Sequence, residues 1–266
     1  MRTLLPLILL AGPLVFATVA SAQQLSDRFF DEYYFPFNPT AATSTGIHKY
    51  DGEIEDESAA GIAKRIAKLK EFESAFEKAP ASPDRDLVLS SIRSSLLELQ
   101  VIKGWERDPD TYSSGLTYSA FVIMSRNFAP PDVRLRALIS RERKMPQGLK
   151  DAKANLKNPP KIFTEIAIEQ VDGNQSFFAK DLPLAFAEVK DAALVAEFKK
   201  TNDAVIAALG DYKAWLRKDL LPKSTGSFAL GADTYTKLLN ATEMVDLSLD
   251  DLLAVAEQNR QKNEAA

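Results

Sequence analysis

Apolar residues recur at helical spacing along most of this chain, and proline, glycine and serine punctuate the runs that carry them. From Ser58, the stripe Ile62, Ile66, Leu69, Phe72 and Phe76 predicts an amphipathic helix, with Lys64, Arg65, Lys68 and Lys70 on its wet side. Residues 79–83 make the turn. The next helix is expected from about Pro83 to Glu106. Val88, Ile92, Leu96 and Leu99 share one of its faces, while Leu97 and Val101 lie almost opposite. That two-sided pattern places it between neighbours at the centre of a bundle. Ahead of these, Ser26 is positioned to cap a helix carrying Phe29, Phe30, Tyr33 and Tyr34, which Pro36 stops. Asn38-Pro39 opens a short helix ended by Gly46, and His48 to Asp56 is an acidic loop.

Proline organises the middle of the chain. After Asp108-Pro109, one helix is expected to carry Tyr112, Gly115, Tyr118 and the apolar run Ala120 to Met124. Pro130-Pro131 opens another, since a proline in the first helical turn loses no hydrogen bond. Met145-Pro146 closes that helix and starts the next, which Asn158-Pro159-Pro160 ends; a further helix runs from near Ile162 through Gln170. Leu194, Phe198, Val205, Leu209, Tyr212 and Leu216 form a long stripe that Pro222 terminates. Lys223 to Leu230 reads as a loop or a short strand pair. A helix follows around Tyr235–Leu239, then Ser248 and Asp251 make a capping-box pattern for a helix over Leu249–Arg260. The remaining residues form a polar tail. No run alternates with period two and no long repeat emerges, so the fold class is all-α, a multi-helix array or bundle.

Composition changes this picture little. A content of 45% hydrophobic and 26% charged residues is that of an ordinary globular chain. The net charge of -4 comes from interspersed signs, which leaves no basic footprint for nucleic acid or anionic lipid. The N-terminus sets the expected compartment. Arg2, the apolar stretch Leu4 to Val19 and Ala20-Ser21-Ala22 resemble a secretory leader cleaved between Ala22 and Gln23. Pro6, Gly12 and Pro13 interrupt the stretch, which is short for a membrane span. The expected organisation is a signal peptide over 1–22 and a helical domain over 23–266, periplasmic or secreted and free of the membrane after cleavage. No cysteine is present for a disulfide, a thiolate metal site or a lipid anchor.

The chemistry is defined first by what is missing. His48 is the only histidine, and a His-Glu-x-x-His zinc helix needs two imidazoles on one face. No Gly-x-Ser-x-Gly elbow, Ser-x-x-Lys pair or phosphate-binding glycine loop occurs. No catalytic, cofactor-binding or metal residue is therefore assigned. Two pairs stay open as candidates. Glu165 and Glu169, one turn apart on a helix, are either a site for a cation or basic group or two solvated acids. Tyr112 and Tyr118, flanking Gly115, either line a cleft or are buried with satisfied hydroxyls.

The stretch from Arg126 to Gly173 carries a resemblance as well as helices. Its order Ala-Pro-Pro, Arg-x-Arg-Ala-Leu, Met-Pro-x-x-Leu, Ala-x-Ala-Asn-Leu and Asn-Pro-Pro-x-x-Phe-Thr-Glu-x-Ala-Ile-Glu-Gln resembles the bacterial family called domain of unknown function 885. FNPTAATSTGIHKYDGEIEDES (Phe37–Ser58), WERDPDTY (Trp105–Tyr112) and LLPKSTGSFALGADTYTKLL (Leu220–Leu239) are similar to it too. The resemblance implies a relation to zinc metallopeptidases of the gluzincin type. Their His-Glu … Pro-Gly-His-His helix lies in the second half of a longer chain and has no counterpart here. Zinc is thus expected only in a full-length member, with that catalytic half as partner and a peptide as substrate. Two readings follow: an N-terminal helical portion walling a substrate cleft, or a stand-alone secreted helical binding or scaffold protein without catalytic activity.

Overall fold

Residues 23–265 are described by the computed structural model, and they form an array of helices without a strand among them. An isolated parallel bridge joins Pro160 to Gly226 in place of the strand pair weighed for residues 223–230. The leader expected over 1–22 lies outside the described residues.

Helix α1 spans 23–37, so Ser26 sits inside it and does not cap it. Nor does Pro36 stop the helix. A π-turn at Phe30–Tyr34 widens the backbone just before, and Pro36 falls in the first turn of the segment that resumes. Short helix α2, Pro39–Ser44, ends ahead of Gly46, whose φ of 91° suits glycine. After the acidic loop, Ser58 caps α3, Ala59–Lys78, by accepting from the Gly61 amide at 3.0 Å. Ser82 caps α4, Pro83–Leu97, in the same way. That helix ends through a π-turn at Glu98–Ile102 and left-handed Lys103, short of the expected Glu106.

Phe29 and Tyr33 of α1, Ile62, Leu69, Phe72 and Phe76 of α3, Leu89, Ile92 and Leu96 of α4, and Leu99 of the π-turn after it make one apolar core. Phe29 meets Phe72 edge to face with ring centres 5.4 Å apart. The position expected for α4 needs correction. It lies between α3 and the later helix α10, Ala232–Glu243, away from the centre of the molecule, and Leu87 and Val101 stay exposed.

The centre belongs to α5, Pro109–Ser125. It packs against α2, α6 (Pro131–Glu142), α7 (Met145–Asn155) and α8 (Lys161–Ser176). Small side chains at Ser113, Ser119 and Ala120, all buried, let neighbours approach. Helix α9, Ala192–Trp215, lays Leu194, Phe198, Val205, Leu209 and Tyr212 across α6, α7 and α8, completing a second core. Helix α11, Leu249–Glu264, starts at the Ser248 cap and buries no residue. The expected polar tail is helical through Glu264, since Arg260 bridges Glu257 and Glu264 at one-turn spacing. No described helix is long and apolar enough to cross a membrane.

Candidate functional site

The acidic loop is fastened to the central helices from beneath by one guanidinium. Arg141 of α6 is wholly buried. Its Nε donates to the Asp51 carbonyl at 2.6 Å, Nη1 to the Ser119 carbonyl at 2.8 Å and Nη2 to Thr43 Oγ1 at 2.7 Å. Burial lowers its pKa, against which the nearby acids Glu55, Asp51 and Glu53 favour the charged form. Lys144 Nζ and Ser140 Oγ both donate to the Gly52 carbonyl. Farther along, Asn155 Nδ2 donates to the Glu57 carbonyl at 2.7 Å and to the Tyr112 hydroxyl at 3.0 Å.

This clamping leaves a cavity of about 490 Å³ where α1, α2 and residues 55–57 face α5 and α7. Tyr34, Tyr112 and Tyr118 line it, together with Thr40, Ser44, Thr111, Leu116, Gly115 and Gly148. Glu55 and Glu57 are the charged residues in the lining, and no lysine or arginine joins them. Thr40 fixes Glu55 by donating its amide at 2.9 Å and its hydroxyl at 2.8 Å to the two carboxylate oxygens. Glu57 Oε1 accepts from Arg65 Nη1 at 2.7 Å. Burial works against the Arg65 charge, but Glu57 and Tyr33 outweigh it and raise its pKa. Arg65 thus leaves the wet face where its spacing had placed it, with only 15% of its side chain exposed.

Tyr112 and Tyr118 meet the cavity differently. Tyr112 is buried; its hydroxyl donates to the Trp105 carbonyl at 2.6 Å, and burial pushes its pKa up to about 12. It therefore offers a ring and no proton-transfer group. Tyr118 is 54% exposed at the rim, stacked on Phe121. Gly115 leaves open space between them, since a Cβ there would meet nothing within 4 Å. Glu165 and Glu169 are not brought to this place. They lie on α8 outside the lining, Glu165 3.6 Å from Lys161 Nζ and Glu169 exposed. His48 is exposed too, its ring stacked on Phe128 and its Nδ1 3.1 Å from Asp51 Oδ2.

Sequence reasoning missed Glu55, Glu57, Thr40 and Arg141. Glu55, Glu57 and Thr40 sit within the Phe37–Ser58 segment that carried the family resemblance, which was the available signal. A second buried polar group belongs to the α6–α9 contact. Glu142 is fully buried, one carboxylate oxygen accepts from the Thr201 hydroxyl, and Oε1 has no partner. Burial raises its pKa to about 8.

Zinc does not fit these residues. With one histidine and no cysteine the chain lacks imidazole or thiolate ligands to combine, and no group of three potential ligands occurs among the described residues. The two cavity carboxylates, one held by Thr40 and the other by Arg65 through one oxygen, have no imidazole or thiolate beside them in the lining.

Comparison with known proteins places the chain in a family. Residues 39–266 match the family described as bacterial protein of unknown function, DUF885. One solved structure, titled as that of "a putative lipoprotein of unknown function from Shewanella oneidensis", matches with a TM-score of 0.79 at 26% identity. The match covers 90% of this chain and 45% of that one, so this chain spans less than half of that protein. No curated protein matches.

Proposed function

Starting from the fact that this chain belongs to the bacterial DUF885 family, we propose that it is the exported helical portion of a longer envelope protein and walls a substrate cleft. The observation that carries this reading is the cavity between residues 55–57 and α5, open beside Gly115 and rimmed by Tyr118. Two further features support it. The solved relative is titled "a putative lipoprotein", in keeping with export through the Arg2–Ala22 leader and with a periplasmic or secreted mature chain beginning at Gln23. Phe228, Met244, Leu247, Leu253 and Val255, around and on α10 and α11, are exposed apolar residues of the kind a packed second part would cover. In the peptidase reading, that second part carries the zinc and the catalytic glutamate, and this chain contributes peptide-binding surface alone.

The second reading is a stand-alone helical binding protein, for which the same cavity would be the binding site. Mixing the mature chain with a separately produced C-terminal half of a full-length relative separates the two. The cleft-wall reading expects a stable complex, a higher melting temperature through linkage and loss of hydrophobic-dye binding. A monomeric, dye-silent chain that the other half leaves unchanged gives the lead to the binding protein.

A further inference from the structure

We infer that the cavity between the acidic loop and α5 is a pocket for a basic side chain, a lysine or arginine, of an extended peptide. The inference deepens the cleft-wall reading and rests on it. Shape, charge and aromatic walls point the same way.

The interior is mostly apolar, formed by the rings of Tyr34 and Tyr112 with Leu116, and so suits the methylene stem of a long side chain. A volume of about 490 Å³ accommodates such a side chain with part of its backbone. The charged groups in the wall are both carboxylates. Glu55 is held in one orientation by two donors from Thr40. Glu57 gives Oε1 to Arg65, while no hydrogen bond from a described residue reaches Oε2. Of the cations nearby, Arg65 is engaged by Glu57 and Tyr33, Arg141 lies beneath the loop on backbone carbonyls and the Thr43 hydroxyl, and Arg126 touches the lining only at Ser44, its Nη2 3.4 Å from Oγ. An incoming cation meets carboxylate oxygens and tyrosine faces, a combination that favours ammonium and guanidinium groups over neutral ones. An acidic side chain would be repelled.

The test uses the mature chain and isothermal titration with Ala-Ala-Xaa-Ala-Ala peptides, in which Xaa is lysine, Nε-acetyl-lysine, norleucine or glutamate. The lysine peptide is expected to bind roughly tenfold more tightly than its acetylated or norleucine counterparts, a factor in keeping with one partly solvated ion pair plus a cation–π contact. The advantage should weaken with added salt. Glu57→Gln should erase the preference, and Gly115→Phe, which fills open space, should block every peptide with the circular dichroism spectrum retained. The peptide series itself needs no variant to fold. If lysine and norleucine peptides bind equally and Gly115→Phe abolishes both, the basic-side-chain pocket is overturned while the cleft wall survives. Failure of every peptide to bind also overturns it, and complex formation with the second half then judges the cleft-wall reading separately.

Discussion

Arg141 donates through Nη2 to Thr43 Oγ1 at 2.7 Å, out of contact with water, joining residues 98 positions apart. The same guanidinium reaches carbonyls of Asp51 and Ser119, so one side chain holds α2, the acidic loop and α5 in register. Arg141→Met should destabilise the fold by about 3–5 kcal/mol, because buried acceptors lose their donor together. Arg141→Lys should recover only part, since an ammonium cannot reproduce the planar fork. Urea denaturation gives the magnitude. Hydrogen exchange should show lost protection concentrated over residues 39–57, and uniform loss across the chain would count against the clamp.

Glu142 makes stability depend on pH in a defined direction. Its folded pKa of about 8 lies above the ordinary value of 4.5, so the folded state keeps a proton that the unfolded state releases between those values. Its contribution is fully present below about 4.5 and is lost as pH rises to about 8, at a slope on the order of 1 kcal/mol per pH unit. Glu142→Gln should flatten that slope and raise stability at pH 8 relative to the wild type. Identical pH profiles for the two proteins would remove the assignment.

Two glycines should respond to alanine with opposite signs. Gly115 sits within α5, where an added methyl would have nothing within 4 Å, so Gly115→Ala should stabilise by about 0.5–1 kcal/mol through helix propensity. At Gly61 the added carbon would lie within van der Waals overlap of the Asp56 carbonyl oxygen, in the turn that places residues 55–57. Gly61→Ala should therefore destabilise and disturb the cavity. Thermal melts of both variants under one buffer decide the signs.

Zinc should leave this chain unchanged. Equilibrium dialysis of the purified protein against zinc, followed by elemental analysis, is expected to retain less than stoichiometric metal, and added zinc should not shift the melting temperature. One tightly held ion per chain would redirect attention to the carboxylates at Glu165 and Glu169.

The sequence by itself determined most of the helices, because their signals are local, although Ser26 and Pro36 misled at α1 and the polar tail hid the last turn of α11. Prolines at 109, 131 and 146 fall in first turns, Ser58 and Ser248 cap helices, and the Leu194-to-Leu216 stripe is buried as its spacing requires. Helix propensity and capping act over a few residues, so one-dimensional order suffices to read them. The chain's proline-punctuated order was also enough to place it in its family.

Tertiary structure alone decided which faces meet. The two-sided pattern of α4 gave no means of telling a central helix from one held between α3 and α10, since periodicity reports which side is apolar and not what covers it. Arg65 has the spacing of a solvent-facing residue, and only the closed fold brings Glu57 and Tyr33 around it. Tyr112 and Tyr118 are equivalent candidates in the sequence, yet packing makes one a buried wall and the other a rim. Arg141 carried no local signal: its partners include distant backbone carbonyls, which every residue possesses and no pattern marks. The cavity depends on that long-range clamp, and so it became visible only when the chain had closed on itself.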